Sequence, residues 1–555
     1  KTLTDALRTR ALLLILDNCE HLIDACAQFA EAVLRACPEV RILASSREAL
    51  GIAGETPFRV PSLSSPDPEH VSDLATLAQY EAVRLFVDSV VASKPDFTLT
   101  EANAAAVTQV CSQLDGLPLA LELAAARARA MTVEQIAARL DDRFRLLTGG
   151  SRTALPRQQT LRALIDWSWD LLSEPERALL RRLAVFLGGW TLEAAEAVCA
   201  WTGAPAEPPP LMAPADVLEI LTHLVDKSIV LVEDTGAGTR YRLLETIRQY
   251  AREKLLASGE VELIRARHLG FFRQLARKAE PELRAIGRLA WIERLEAEHD
   301  NLRAALKWSL HGQAVEAGLG IAGDLARFWY LRGYWREGRK WLSELLAKPA
   351  PEPTPAGRAA RAWALCGAGW LANEEGGDIA WYAEALDLYR ALGDRWKTAY
   401  AARGLAAGVW ARGRLEEAEN PLAESLALFQ ALDDPWGLGL AKLNLGWLAF
   451  SRNDLAPAEQ AWEAGLAHFR RAGDRWGIAT TIGALGYIMR LRGHYPRAAS
   501  LTEESLRLYR ELGDKAGVAM SLLRLAGLAF RRGEFPQALD LATEAHTLAR
   551  DRGDS

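Results

Sequence analysis

The residue best suited to chemistry in this sequence is Asp17, which follows the apolar run Leu12–Leu16 and precedes Asn18. Five apolar residues in succession predict a buried parallel strand. Because ligands bind at the carboxyl ends of such strands, the Asp17 carboxylate would lie where a phosphate-handling enzyme holds Mg²⁺. The alternative is an ordinary turn at a strand end, for which Asp-Asn is well suited.

A second set of candidate residues follows in the chain. Arg47 comes after the predicted strand Val40–Ala44, and an arginine at that place can reach a γ-phosphate or simply lie on the surface at the sheet edge. Gly116 and Pro118 belong to a Gly-Leu-Pro sequence that ends one predicted helix and starts the next. Taken alone, Pro118 is typical of a helix start. A GxxxxGK[ST] loop, which cradles phosphates, is absent from the 555 residues.

Composition excludes several classes of protein. Hydrophobic residues make up 50% and charged residues 25% of the chain, which is typical of a folded protein. A net charge of -6 argues against a surface that coats nucleic acid. Six cysteines without a C-x-x-C pair indicate neither a disulfide scaffold nor a zinc module, so a cytoplasmic location is expected. Apolar runs are too short for a membrane helix.

The last third of the chain contains an internal repeat. Gly-Asp-Arg-Trp at 393–396 returns as related sequences at 433–436, 473–476 and 513–516, a constant step of 40 residues. This period predicts stacked pairs of amphipathic helices, hence a solenoid. The tryptophans at 396, 436 and 476 are expected to pack between repeats, with a ligand cage as the alternative.

The chain contains, in order, Leu-Leu-Leu-Ile-Leu-Asp-Asn, Ser-Ser-Arg, Gly-Leu-Pro-Leu, a winged-helix pattern and helical repeats. This order resembles the STAND class of signalling ATPases, and within it the NB-ARC-like bacterial regulators. The resemblance implies that Asp17 orders Mg²⁺, that Arg47 is a sensor arginine and that Pro118 packs on adenine, with Gly116 among the cofactor-binding residues. Asn18 replaces a second carboxylate that would serve as the base. An amide orients water but cannot accept its proton, so slow hydrolysis is expected.

One further departure from the family concerns the end of the winged helix. Many relatives carry Met-His-Asp there, and the His contacts the nucleotide phosphate. The matching residues of this chain are Leu243, Leu244 and Glu245. The histidine is therefore missing, and Glu245 or Arg248 is expected to take its place.

The expected fold class is mostly α, with a partial α/β nucleotide-binding domain, a helical domain, a winged helix and an α-solenoid of TPR-like helix pairs. A third short strand is expected at Phe58–Val60, and a hairpin is expected across Asp234–Gly238. The expected domains are the C-terminal part of a P-loop domain at 1–68, a helical domain at 69–140, a winged helix at 141–265, a helical spacer at 266–320 and the solenoid at 321–555.

The functional expectation is a nucleotide-switched signal-transduction ATPase whose repeats sense a protein, a peptide or a small effector. The parent protein would use ATP, ADP and Mg²⁺, hydrolyse ATP slowly and self-associate in the ATP state. The chain as given is expected to bind no nucleotide tightly and to be inactive as an ATPase, because the phosphate-binding loop is missing. Direct binding to nucleic acid or to a membrane is not expected. The alternative is a non-enzymatic TPR scaffold with a vestigial nucleotide domain.

Overall fold

The computed structural model describes residues 7–17, 22–46, 48–67, 73–129, 131–140, 161–200, 212–236, 238–284, 288–311, 314–349, 354–372 and 379–551, together with Thr4 and Cys19. This part of the chain is mostly helical, as the sequence predicts. The chain divides into two compact units, 1–264 and 265–555. None of the described helices is long and apolar enough to cross a membrane.

The first unit begins with two parallel strands, β1 (Leu12–Leu16) and β2 (Val40–Ala44), which pair along their full length. The connection between them contains helix α1 (Ile23–Ala36). Apolar side chains of α1 and both strands enclose a small core around Val33 and Cys37. This strand–helix–strand unit is the arrangement that parallel pairing requires.

The prediction of a buried strand is wrong for one face of this sheet. Leu13 and Ile15 of β1 are 58% and 64% exposed, and Leu43 of β2 is 58% exposed. A parallel strand is buried only when both of its faces are covered, and the described residues cover one face, with α1. The predicted third strand is also wrong, because the described residues at Phe58–Val60 adopt no strand and Phe58 is 84% exposed.

A helical region follows, and its helices are α2 (Leu74–Leu77), α3 (Glu81–Ser93), α4 (Glu101–Gln113), α5 (Pro118–Ala125) and α6 (Val133–Arg139), with a 3₁₀ turn at Ala126–Arg129. Side-chain hydrogen bonds set the starts of α4 and α6. The backbone N–H of Thr100 donates to Oδ1 of Asn103 at 2.8 Å at α4. At α6, Thr132 and Gln135 form a reciprocal capping box.

The region predicted as a winged helix contains α7 (Leu161–Asp170), α8 (Glu174–Leu183), α9 (Leu192–Cys199), α10 (Pro214–Asp226), β3 (Val230–Thr235), β4 (Gly238–Leu243) and α11 (Glu245–Ser258). The predicted hairpin is confirmed, since β3 and β4 pair antiparallel. Trp190 adds a bridge to Tyr241. Gly189 permits it, because a Cβ at Gly189 would lie 2.7 Å from the Tyr241 carbonyl oxygen.

The second unit consists of helices, namely α12 (Val261–Glu282), α13 (Arg288–Ala297), α14 (His299–Ser309), α15 (Val315–Arg332), α16 (Trp335–Leu346), α17 (Pro355–Ala372), α18 (Ile379–Leu392), α19 (Arg395–Ala411), α20 (Leu415–Ala431), α21 (Pro435–Ser451), α22 (Leu455–Ala472), α23 (Arg475–Leu491), α24 (Tyr495–Glu511), α25 (Lys515–Arg531) and α26 (Phe535–Asp551). Its core is continuous from repeat to repeat. Stacked helix pairs bury their apolar faces in this way.

The predicted 40-residue period is confirmed by the helix starts. The first helices of the repeats begin at Val315, Pro355, Arg395, Pro435, Arg475 and Lys515. The register therefore starts before the expected boundary at 321, which falls inside α15. Gly473, with a φ of 70°, ends α22 in the left-handed conformation, and Asp474 then caps α23. The recurring Gly-Asp pair is thus a helix stop followed by a helix start.

Candidate functional site

The two parallel strands bring the predicted Mg²⁺ ligand beside a hydroxyl group. Ser45 N donates to the Leu16 carbonyl at 2.8 Å, and the Ser45 hydroxyl donates to Oδ1 of Asp17. Asp17 is exposed. Mg²⁺ keeps several waters and binds proteins through one or two carboxylates, so an exposed Asp beside a Ser fits it chemically. Among the described residues, no group of three or more His, Cys, Asp and Glu side chains is arranged as a metal site.

Two of the predicted site residues cannot be placed. Asn18 and Arg47 lie outside the residues that the structure describes. Their roles beside the nucleotide stay predictions, as does the role of Asp17 as a metal ligand.

Gly116 lies in a turn that only glycine can form. Its φ is +62°, and a Cβ on it would lie 2.1 Å from the Leu63 carbonyl oxygen. Leu63 N in turn donates to the Gly116 carbonyl at 3.1 Å. Pro118 follows as the first residue of α5 and is exposed. The turn therefore anchors residues from before the helical region and leaves a proline ring on the surface.

This turn also contacts α11, the helix that follows the β3–β4 hairpin. Oδ2 of Asp115 accepts hydrogen bonds from the backbone N–H of Thr246 at 3.1 Å and from its hydroxyl at 3.4 Å. Thr246 is fully buried, and it belongs to the first turn of α11. A carboxylate at a helix N-terminus satisfies a free N–H group and interacts favourably with the helix dipole. Asp115 therefore joins the Gly-Leu-Pro turn to the start of α11.

Glu245, the predicted replacement for the family histidine, lies next to this contact. It precedes Thr246, and its carboxylate accepts a hydrogen bond at 2.6 Å from Nε of Arg248, the other candidate. The two predicted substitutes thus pair with each other. Because Asp115 and Thr246 are hydrogen-bonded, the segment that holds Gly116 and Pro118 meets the segment that holds Glu245, and we call these three residues one group. Among the described residues, Asp17 has a hydrogen bond with Ser45 and none with that group.

Sequence reasoning missed Asp115 and Thr246, although each is a direct neighbour of a predicted residue. The available signals were the Asp-Gly turn and a Thr in the first turn of α11. Both are common in proteins, and neither predicts which residue lies opposite.

In the second unit, the repeated motif fastens each repeat to the next. The indole Nε1 of Trp436 donates to Oδ2 of Asp474 at 2.9 Å, and Nε1 of Trp476 donates to Oδ2 of Asp514 at 2.9 Å. Oδ1 of Asp474 accepts from the backbone N–H of Trp476 at 3.0 Å. Asp474 and Asp514 are 1% and 3% exposed. The tryptophans therefore pack between repeats, as predicted.

The faces of these indoles line a concave surface. The guanidinium of Arg327 lies 5.6, 5.7 and 5.8 Å from the ring centroids of Trp370, Trp436 and Trp476, which belong to three later repeats. Arg284 lies 4.6 Å from the Trp436 ring. Side chains so far apart in sequence meet only where the solenoid curves inward. We call the concave surface formed by Arg284, Arg327 and these three tryptophans the inner face.

Burial shifts the pKa of several groups on or near the inner face. Arg288 is 2% exposed, and burial together with the charge of Arg327 lowers its pKa to about 10, against the opposing effect of Asp474 and Asp514. Burial, with a further contribution from the charge of Glu280, raises the pKa of Asp324 to about 7, against the opposing effect of Lys397. Such shifts mark charges held in a poorly solvated environment.

Comparisons with known proteins agree with two of the predicted domains. Residues 172–256 match the family model of a winged helix-turn-helix domain, and residues 477–551 match that of a tetratricopeptide repeat. A protein of Mycobacterium tuberculosis H37Rv, named "Putative HTH-type transcriptional regulator", is 44% identical over 420 residues, which are 74% of this chain and 45% of that protein. The chain thus spans about half the length of this relative.

A second relative in the same organism is an uncharacterized protein, 43% identical over 273 residues, which are 49% of this chain and 64% of that protein. Among solved structures, a STAND protein with a tetratricopeptide repeat sensor from Pyrococcus horikoshii is similar with a TM-score of 0.40. That likeness has 14% identity and covers 100% of this chain and 80% of the other.

Proposed function

We propose that this chain is the switching and sensing part of a bacterial STAND-class ATPase that regulates transcription. In this proposal, ADP holds the nucleotide, helical and winged-helix domains in a closed state. A protein, peptide or small effector on the repeats favours the open state, and exchange for ATP permits self-association. The ligand acts only through its preference for the open state. Asp17 would hold Mg²⁺, with Asn18 and Arg47 at the phosphates and Pro118 on the base.

The observation that carries the proposal is the contact between the half-buried Asp115 and the buried Thr246. The turn that holds Gly116 and Pro118 is the predicted adenine side of the site, and α11 begins with Glu245, the predicted phosphate side. One carboxylate joins them with bonds of 3.1 and 3.4 Å. A ligand that touches both sides would strengthen this contact, and opening the winged helix would break it.

The comparisons support the regulatory part of the proposal. A winged helix followed by tetratricopeptide repeats is the order that the resemblance implies, and the 44%-identical relative carries the name of a transcriptional regulator. The 44%-identical relative is longer than this chain, which covers 45% of it, so the activity of the whole protein is also part of the proposal.

The test is calorimetric titration of Mg²⁺-ADP into the protein extended to its full reading frame, where the proposal requires a GxxxxGK[ST] loop. We expect micromolar binding or tighter. Asp115→Ala should weaken ADP binding at least fivefold, because it removes the link that favours the closed state. Glu122→Gln, an exposed change on α5, is the matched control and should leave the affinity within twofold.

Two outcomes would contradict the proposal. If the full-length protein binds neither ADP nor ATP, the non-enzymatic scaffold is the better description. If Asp115→Ala and Glu122→Gln have the same affinity for ADP, nucleotide binding does not depend on the contact with α11. The chain 1–555 by itself is expected to show no tight binding of either nucleotide.

A further inference from the structure

Arginines on the outer surface of the solenoid and those that face inward differ in their partners. Outer arginines pair with glutamates of the neighbouring repeat, as Arg390 does with Glu424 at 2.6 Å and Arg510 with Glu544 at 2.8 Å. Inward arginines rest on aromatic rings, and one of them, Arg284, also pairs with Glu280. Arg403 lies 5.0 Å from the centroid of Tyr400, a ring that stacks on Trp436 of the inner face.

The inward-facing side chains form a row along the first helices of the repeats, and this row continues toward the end of the array. Tyr487 occupies the repeat position of Arg327, four steps of 40 residues later, and the guanidinium groups of Arg490 and Arg524 lie 4.6 and 5.9 Å from its ring. Nη1 of Arg524 lies 2.7 Å from where a Cβ on Gly483 would be. Gly483 is the counterpart of Arg403, two repeats on. Arg524 therefore places its charge at the equivalent point of the same concave row.

Several of these arginines have guanidinium nitrogen atoms without a hydrogen-bond partner among the described residues. In the part of the chain that the structure describes, the buried Nε atoms of Arg288, Arg327 and Arg403 have no hydrogen-bond partner, nor has Nη2 of Arg288. Arg288 and Arg327 are 2% and 7% exposed. Burial lowers the pKa of Arg524, and none of the groups that influence it is a carboxylate. Buried donors without partners cost free energy that a bound anion would recover.

The carboxylates near this row are already engaged. Asp474 and Asp514 face Arg288, but each accepts an indole N–H and a backbone N–H. Glu280 pairs with Arg284. The inner face therefore keeps cationic groups whose best partners are not supplied by its own acids.

The spacing of the row gives the size of the ligand. Consecutive first helices of the repeats contact each other, and packed helices lie about 8–10 Å apart. The guanidinium of Arg524 lies beside Gly483, which is two repeats after Arg403. The distance from Arg403 to this guanidinium is therefore two helix spacings, roughly 16–20 Å. An extended chain rises about 3.3 Å per residue, so about six residues bridge the two arginines. A single small anion cannot do so.

We propose that the inner face, together with Arg403, Arg490 and Arg524 that continue it along the array, binds an extended acidic peptide. Side-chain carboxylates of the peptide pair with these three arginines, while the buried Arg288 and Arg327 supply positive potential beneath them. These three arginines are half-buried, so part of each side chain is accessible to solvent. Each guanidinium lies within about 6 Å of the centroid of an aromatic ring, which limits its freedom, and an arginine can form a forked pair with a carboxylate. The inference rests on the proposed sensing function, for which it names the ligand class.

The experiment is fluorescence anisotropy with fluorescein-labelled deca-glutamate, titrated with the whole chain at about 100 mM salt, and with deca-lysine as the comparison peptide. We expect the glutamate peptide to bind and its affinity to fall as salt rises. Arg403→Gln and Arg524→Gln should each weaken binding at least tenfold. Arg390→Gln, on the outer surface, is the matched control and should change it less than twofold.

Two further measurements keep the result interpretable. Circular dichroism and thermal unfolding check that each variant is folded. Arg403→Lys keeps the positive charge but cannot form a two-pronged pair with a carboxylate, so it should recover part of the affinity that Arg403→Gln loses. The inference would be overturned if the two peptides bind equally or if neither binds. It would also be overturned if Arg403→Gln and Arg524→Gln bind the glutamate peptide as tightly as Arg390→Gln does. Nucleotide binding is measured separately, so a failure here with ADP binding intact leaves the switch proposal standing.

Discussion

Asp474 carries two hydrogen bonds on one carboxylate, and Asp474→Asn can keep only one of them. Oδ1 accepts from the backbone N–H of Trp476 at 3.0 Å, and Oδ2 accepts from Nε1 of Trp436 at 2.9 Å. An amide has a single oxygen, and its NH₂ group would point at the other donor. Because Asp474 is 1% exposed, water cannot replace the lost bond.

The magnitude follows from these two bonds. Leaving a buried indole N–H without an acceptor costs about 1–3 kcal/mol, so Asp474→Asn should destabilise the array by that amount. Asp474→Ala also removes the cap of α23, which adds about 1 kcal/mol. Trp436→Phe removes the donor. In the Trp436→Phe protein, Asp474→Asn should lower the free energy of unfolding by less than about 1 kcal/mol. The coupling free energy between the two residues is then about 1–2 kcal/mol.

The assay is urea unfolding of the whole chain followed by circular dichroism, with amide hydrogen exchange in α21 and α23 because a solenoid need not unfold in one step. Asp454→Asn is the matched control, since Asp454 holds the same position before α22 but is exposed and makes no side-chain cap bond. If both Asn variants lose equal stability, or if Trp436→Phe leaves the cost of Asp474→Asn unchanged, the Trp–Asp bond does not hold the repeats together.

Two other substitutions test the first unit and the environment of the inner face. Gly116→Ala should destabilise the chain by more than about 2 kcal/mol in urea unfolding, because the added Cβ would lie 2.1 Å from the Leu63 carbonyl oxygen. The control is Gly54→Ala, which should cost only about 1 kcal/mol, since Gly54 has a φ of +82° but no atom within 4 Å of the added Cβ. Asp324→Asn keeps an acceptor for the Trp363 indole N–H. It should raise the free energy of unfolding by about 2–4 kcal/mol at pH 8 but by less than about 1 kcal/mol at pH 4. Burial raises the folded pKa of Asp324 from 3.8 to about 7, so the wild type loses stability as pH rises through that range; equal effects at both pH values would refute this.

The repeat array was predictable because its signal is local. The pairs that precede the helix starts are Gly-Asp at 393, 473 and 513 and Asp-Asp at 433, and each contains a left-handed residue followed by a helix cap. The helix starts at Arg395, Pro435, Arg475 and Lys515 therefore follow from the sequence. The winged-helix hairpin was predictable for the same reason, since its turn and its alternating strands lie within 14 residues, 230–243.

The exposed strand and the contact with α11 were not predictable in this way. A run such as Leu12–Leu16 shows that a strand is apolar, but its burial depends on what covers each face. Asp115 and Thr246 are 131 residues apart, and no periodicity links them. Sequence patterns therefore placed Gly116, Pro118 and Glu245 near the correct contact without identifying the pair that makes it.

The tryptophans of the repeats have two functions that act through different parts of the ring. The N–H edge of Trp436 bonds Asp474 and holds two repeats together, while its face supports Arg284 and Arg327 on the inner face. Replacing the indole would therefore disturb stacking and ligand binding at once. Replacing Arg403, which lies on the ring of Tyr400, leaves the Trp–Asp bonds in place. Arginine variants, and not tryptophan variants, can consequently separate sensing from folding in this solenoid.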